Sequence, residues 1–351
     1  MSAFVADWLN LLIRWAHLIA GIGWIGTSFY FIALDLSLKK RDRMGEGVHG
    51  TAWEVHGGGF YHVEKYTVAP KELPDDLIWY KWEAYLTWVT GFLLLLTQYY
   101  WHATAYLIDP GVLKLAPAEA VAISIVSLIV GWFAYDGLCR SPLGKNPVWL
   151  AAAVFLLILA VSYVYSRVYS ARGALIHVGA LIGTIMAANV FAVIIPNQKK
   201  IVEALIKGQT PDPALGAKGK QRSLHNTYLT LPVLLMMVSN HYAFLTNHPH
   251  AWILVGLVLV MGAGLRPFPG HFRGGRAVGE DRLDVAGHCR RARGRDGDDR
   301  AARGPAGRRD EGQRRPRDRD HPQALRRLPC ASRRECRQAP LDGGIFALCG
   351  G

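Results

Sequence analysis

The sequence predicts an all-α, polytopic membrane protein of about seven spanning helices, followed by a low-complexity tail. Three observations predict it. Residues 1–265 contain apolar runs long enough to cross a bilayer, together with all 11 Trp of the chain. Those runs carry no polar face, so a water-soluble bundle would leave them without cover. Residues 266–351 contain 21 Arg and no Lys, Trp or Tyr, and they show no helical or strand periodicity.

A spanning helix needs roughly 20 mostly apolar residues, because hydrocarbon offers a backbone group no water to bond. Seven stretches qualify: 8–34, 82–101, 117–138, 147–166, 172–196, 227–245 and 250–265. The first is too long for the apolar core of a signal peptide. It also lacks a basic flank and a small-residue cleavage site, so it reads as a retained helix. Pro110, Pro117, Pro142, Pro147, Pro196 and Pro249 fall at expected helix ends. Trp and Tyr crowd those ends, as in WYKWEAY and QYYWH, in the manner of interfacial belts.

Lys and Arg set the orientation. The 35–81 connection carries Lys39, Lys40, Arg41, Arg43, Lys65, Lys71 and Lys81. Arg140 and Lys145 lie in 139–146, and 197–226 carries Lys199, Lys200, Lys207, Lys218, Lys220 and Arg222. These connections alternate and share one side, the cytoplasm; the opposite ones hold Lys114, Arg167 and Arg172. The expected location is a bacterial inner membrane with a periplasmic N-terminus and the lipid bilayer as a constant partner. The net charge of +13 is mostly a property of the tail, so no nucleic-acid partner is expected. Four of the five cysteines (Cys289, Cys330, Cys336 and Cys349) are in the tail, and Cys139 alone cannot build a disulfide framework.

Polar residues inside spans are costly, which makes them functional candidates. His17, His102, His177 and His241 fall on four expected helices, all toward the outer leaflet. His17, Gly21, Trp24 and Ser28 form one stripe; Gly173, His177, Ala180 and Thr184 form another. Small residues beside an imidazole leave room for a flat macrocycle, so His17, His177 and His241, with His102, are candidate ligands of a b-type haem iron. The competing reading makes them interhelical hydrogen-bonding histidines. Arg14, one turn before His17, snorkels outward or meets an anion. In EVHGGGFYHVEKY, His56 and His62 bracket three glycines, which let backbone approach a ligand closely. Arg14, His56 and His62 are the candidate substrate contacts; the competing reading of the last two is a tight loop with interfacial aromatics. No catalytic residue stands out.

The segments RWAHLIAGIGWIGTSFYFIALDLSL, EVHGGGFYHVEKY, WEAYLTWVTGFLLLL and VSNHY together resemble the membrane-bound bacterial urate hydroxylases, over residues 1–265. Members of that family join an eight-helix urate oxidase N-terminal domain to a c-type cytochrome domain. The resemblance implies oxidation of urate to 5-hydroxyisourate in purine catabolism. Electrons would leave through haem c to a periplasmic or membrane acceptor, rather than going directly to oxygen. The chain departs from the pattern in having neither an eighth apolar run nor a Cys-x-x-Cys-His motif.

The tail suggests why. Codons for Leu325 to Cys330, read one base later, permit Cys-x-x-Cys-His, the covalent haem attachment motif. The same shift at Glu280 to Ala286 permits Lys-Ile-Gly-Trp-Thr-Trp-Pro, a plausible start to a membrane helix. Residues 266–351 therefore read as a frameshifted remnant of helix eight and a cytochrome c domain. The alternative is a genuine disordered Arg-rich segment. On function, the oxidoreductase competes with a permease for a purine-type solute and with a b-type cytochrome electron-transfer subunit that has no urate chemistry.

Overall fold

The computed structural model describes residues 3–66, 70, 73–246, 248 and 250–265, all within one compact unit. The Arg-rich tail, with its expected remnant of helix eight and its haem motif, lies outside the described residues, as does Pro249.

The described residues are mostly helical. Helix α1 is Ala3–Ser37. A β-hairpin follows, β1 Val48–His56 and β2 Gly59–Tyr66. Helix α2 (Trp82–Leu94) runs on into a π-helical turn, Leu95–Tyr100. Then come α3 (Pro117–Arg140), α4 (Pro147–Val168), α5 (Ala171–Ile206), α6 (Pro213–Val238) and α7 (Ala251–Leu265). Each expected span has a helix. Among the described residues, only α1, α3, α4 and α5 are long and apolar enough, by length and composition, to cross a membrane. The other three fall short for local reasons: α2 is broken by its π turn, α6 opens with the charged run AKGKQRS, and α7 has 15 residues.

Side-chain caps explain several starts. Asn146 accepts from the amides of Val148 and Trp149 ahead of α4, Ser170 from Gly173 in α5, and Asp212 from Ala214 in α6. Pro117, Pro147 and Pro213 sit in first turns, where no amide hydrogen is needed.

The helix expected to stop at Pro196 continues to Ile206. A π-helical segment, Asn189–Ile194, widens the turn just before the proline. Such a turn re-routes the backbone bonds that proline cannot make. The 197–226 connection expected between helices is accordingly mostly helix, and only a short link around Gly208 joins α5 to α6.

The core lies among α3, α4, α5, α6 and α7, around Tyr135, Leu150, Ile158, Tyr165, Leu181 and Ile182. Glycine lets these helices approach closely: a Cβ at Gly131 would collide with Leu181, and one at Gly179 would sit 2.8 Å from Met236 Cβ. Helix α1, by contrast, packs mainly on α2 and leaves most of its apolar surface open. In water that surface would be a liability; in a bilayer it is the expected solvent contact.

Toward the hairpin end of the bundle, a polar network ties α3, α5 and α6 together. Arg222 donates to Asp136 at 2.6 Å, with both side chains nearly inaccessible, and Arg140 pairs with the other oxygen of Asp136. Tyr135 Oη bonds His225 Nδ1 at 2.7 Å and accepts from Asn189 at 3.0 Å.

Candidate functional site: a cavity between α1, α2, α5 and α6

A cavity of about 1020 Å³ opens near the N-terminal half of α1. It is bounded by α1, α2 with its π turn, α5, and α6 with the Asn240–His241 turn. Its polar contribution from α1 is Asp7, Asn10, Arg14 and His17, on a helical stripe that continues through Gly21 and Trp24. Helix α5 contributes Ile176, Ala180, Gly183 and Thr184, a second stripe of mostly small side chains.

Hydrogen bonds orient the polar wall. His17 Nδ1 lies 3.0 Å from the Thr87 carbonyl and 3.1 Å from Thr90 Oγ1. A carbonyl only accepts, so Nδ1 carries the proton and Nε2 is left bare. The ring lies on Gly91, where a Cβ would come within 2.9 Å of His17 Cε1. Asn10 Oδ1 accepts from both Arg14 at 3.2 Å and Gln98 at 3.1 Å, so Arg14 is held by an amide rather than by a carboxylate. Across the cavity, Arg172 donates to the Asn240 carbonyl at 3.3 Å, and the Asn240 side chain donates to Tyr99 Oη at 2.8 Å. Trp88 donates to Thr184 at 3.1 Å and stacks on Phe92. His102 is anchored through Nδ1 to the Thr97 carbonyl at 3.2 Å.

The structure thus brings together His17, His102, His241 and Arg14, and it leaves out the other three sequence candidates. His177 faces away from the cavity. It is fully buried among the rings of Tyr99, Tyr100, Tyr165 and Tyr169, with Nδ1 on the Gly173 carbonyl at 2.8 Å. One helix position separates it from Ile176, which does reach the cavity, and that rotation turns the imidazole inward. His177 therefore does not pair with His17 across a shared iron.

His56 and His62 lie in the hairpin, not in an irregular loop. Gly57 and Gly58 both have positive φ, 58° and 80°, which only a tight two-residue hairpin turn of the primed type requires. The register pairs His56 with Gly59 and His62 with Trp53, which puts the two histidines on opposite faces of the ribbon. They do not converge on one ligand, and they are at the other end of α1 from the cavity.

Sequence reasoning missed Asn10, Gln98, Arg172, Asn240 and Gly91. Asn10 was detectable, four residues before Arg14 on the His17 stripe. The others meet the site only through helix pairing, which no local pattern records.

His17 would be able to hold a haem through Nε2, since Nδ1 is fixed by a carbonyl, as the second nitrogen of metal-bound histidines commonly is. Among the described residues, no group of three or more His, Cys, Asp or Glu is placed to hold a metal ion.

Several apolar helices long enough to cross a membrane, packed beside a cavity with a few polar groups in its wall, mark a membrane protein with a candidate binding site. The chain belongs to the urate oxidase N-terminal family, whose model matches residues 3–277. Membership ties it to urate-related function. No curated protein and no solved structure matches the chain.

Proposed function

We propose that the protein oxidises urate to 5-hydroxyisourate at the cavity, as a seven-span inner-membrane protein whose electrons pass to a c-type cytochrome. The observation that carries this reading is the pair of guanidinium groups, Arg14 and Arg172, set with side-chain amides around one aromatic-walled cavity in a chain of this family.

Urate is flat, anionic at neutral pH, and rimmed by alternating N–H and C=O groups. Planar guanidinium forks suit its delocalised charge. Asn10, Gln98 and Asn240 offer both donors and acceptors for its edges. Trp88 and Phe92 provide a face on which a fused ring can stack. The reaction adds water oxygen at urate C5 and releases an electron pair and two protons. His17, bare at Nε2 in this tautomer, is the side chain suited to accept a proton there.

Were a b-type haem bound here, His17 Nε2 with His241 or His102 would hold it and it would supply one-electron transfer toward the external acceptor; His17 would then be a ligand and not the proton acceptor. In this reading the cavity opens to the periplasm. The N-terminus of α1 is beside the cavity, and Lys39, Lys40, Arg41 and Arg43 follow the far end of α1. In this reading the cytochrome that receives the electrons is a separate partner or is encoded in the tail's alternative frame.

The test uses membranes carrying the full chain, given urate without oxygen. Urate should disappear only when an electron acceptor such as cytochrome c is added, and the acceptor should be reduced in step. Uptake of labelled urate without its oxidation would support a permease instead. A reducible haem band indifferent to urate would support an electron-transfer subunit.

A further inference from the structure

We propose that the β1–β2 hairpin is a membrane-inserted element, with its outward face and turn lying in the lipid interface beside α1. The proposal rests on α1 crossing the bilayer and is independent of the urate chemistry.

Two contacts fix how the ribbon lies. Lys65 pairs with Asp35 at 2.6 Å, and Tyr30 Oη donates to Glu54 at 2.7 Å. Lys65 and Glu54 are on the same face of the ribbon as the buried Ala52, so this face is turned to the protein. Passing from Lys65 to Glu54 moves toward the Gly57–Gly58 turn. Passing from Asp35 to Tyr30 moves from the end of α1 toward its middle. The ribbon is therefore folded back along the helix. At 1.5 Å per residue, Tyr30 lies about 10 Å inside Ser37, and the turn reaches at least to that level.

The opposite face is open from Trp53 to the turn, while at its base Thr51 is buried beneath the Lys39–Arg41 segment that bonds it. From base to turn its cross-strand pairs are Thr51–Glu64, Trp53–His62 and Val55–Phe60. The face is charged at its base and wholly apolar at its tip. Trp53, Val55 and Phe60 are 58%, 68% and 74% exposed. A ribbon with one face on protein and the other in water should be polar outside. This one is least polar where it reaches furthest along a bilayer-crossing helix. Lipid is the solvent that satisfies both facts.

The depth has a limit. The outer strand edges carry unpaired backbone groups, which cannot lie in hydrocarbon. The ribbon therefore stays at the headgroup and acyl boundary, where Trp and Tyr are favoured. Lys40, Arg41 and Arg43 at its base match an anionic headgroup layer; Arg41 donates to Thr51 at 3.1 Å and so belongs to the same unit.

The experiment places a nitroxide at Val55→Cys, Phe60→Cys, Trp53→Cys or Glu64→Cys, one at a time. The host is the full chain with its own cysteines replaced, reconstituted in phosphatidylethanolamine–phosphatidylglycerol vesicles. Relaxation by oxygen, which concentrates in lipid, is compared with relaxation by a water-soluble nickel chelate. Oxygen should dominate at Val55 and Phe60, and the chelate at Glu64, with Trp53 between. Chelate dominance at both Val55 and Phe60 would overturn the proposal and leave the hairpin in water. Dipolar broadening between labels at Val55, with both relaxants excluded, would also overturn it, because a second copy of the chain would then cover the face.

Discussion

His17 of α1 rests directly on Gly91 of α2: a Cβ at position 91 would come within 2.9 Å of the imidazole Cε1. The same ring is bonded to the Thr87 carbonyl one turn earlier. Helix α2 thus supplies both the floor and the anchor of the imidazole. Gly91→Ala should lift the ring from its anchor without removing any functional group. Overpacking of this kind costs about 1–3 kcal/mol. The expected result is a lower thermal midpoint in detergent and a fall in urate turnover of roughly tenfold or more. Unchanged turnover in the variant would remove His17 from the reaction.

The two arginines should govern substrate affinity. Arg14→Gln and Arg172→Gln each remove a charge-assisted contact worth about 1.5–3 kcal/mol, so KM for urate should rise about tenfold to a hundredfold. Arg14→Lys keeps the charge but loses the planar fork, and it should fall between wild type and Gln. Steady-state kinetics on membranes checks this. Equal loss with a neutral purine analogue would show that the effect is not recognition of charge.

Much of this architecture could be read from the chain, and the exceptions have physical causes. Hydropathy located every long helix but misjudged where α5 and α6 meet. It reports where lipid ends, whereas α5 runs on past Pro196 as an amphipathic helix and α6 begins in the charged run after Asp212. The hairpin was misread as a loop although Gly57–Gly58 and the flanking alternation of WEVH and FYHVEKY are a strand pattern. Depth along the spans grouped His17, His102 and His241 with Arg14, and the structure places all four around one cavity. It also added His177, which lies outside that lining, because depth fixes height in the bundle but not rotation about the helix axis. Helix rotation also determines the meeting of Gln98 with Asn10 and of Arg172 with Asn240, and both emerge only from packing.

The Asp136–Arg222 pair should be asymmetric under mutation. Asp136→Asn leaves Arg222 as a buried cation whose Nη1 already lacks a partner. Arg222→Met leaves Asp136 still paired with Arg140. Breaking a buried pair from one side costs about 3–5 kcal/mol. The Asp136→Asn loss should be at the upper end, and the Arg222→Met loss should be smaller. The double variant Asp136→Leu, Arg222→Met should recover much of either loss. Thermal unfolding in detergent would read all three, and equal destabilisation by the two single variants would mean that Arg140 does not compensate.

The last prediction separates the two histidines that the sequence joined. In the cavity, His17 has its proton fixed on Nδ1 and Nε2 bare, which is the state an axial imidazole needs. His177 has the same proton arrangement, through Gly173, but its ring is enclosed by four tyrosines and does not reach the cavity. If the purified protein carries a b-type haem, His17→Ala should abolish its reduced optical band. His177→Phe should keep the band, because a ring of similar size preserves the stack with Tyr169 and no ligand is lost. Its cost should appear instead as reduced thermal stability, since an imidazole hydrogen bond is removed from the core. His225→Ala, at the opposite end of the bundle, should also leave the band intact. Loss of the band in His177→Phe with retention in His17→Ala would reverse the assignment and show that the cavity is not the haem site. A protein that purifies without any haem band would leave His17 Nε2 free for its proposed role as proton acceptor, and that role would then be decided by the urate turnover of His17→Ala.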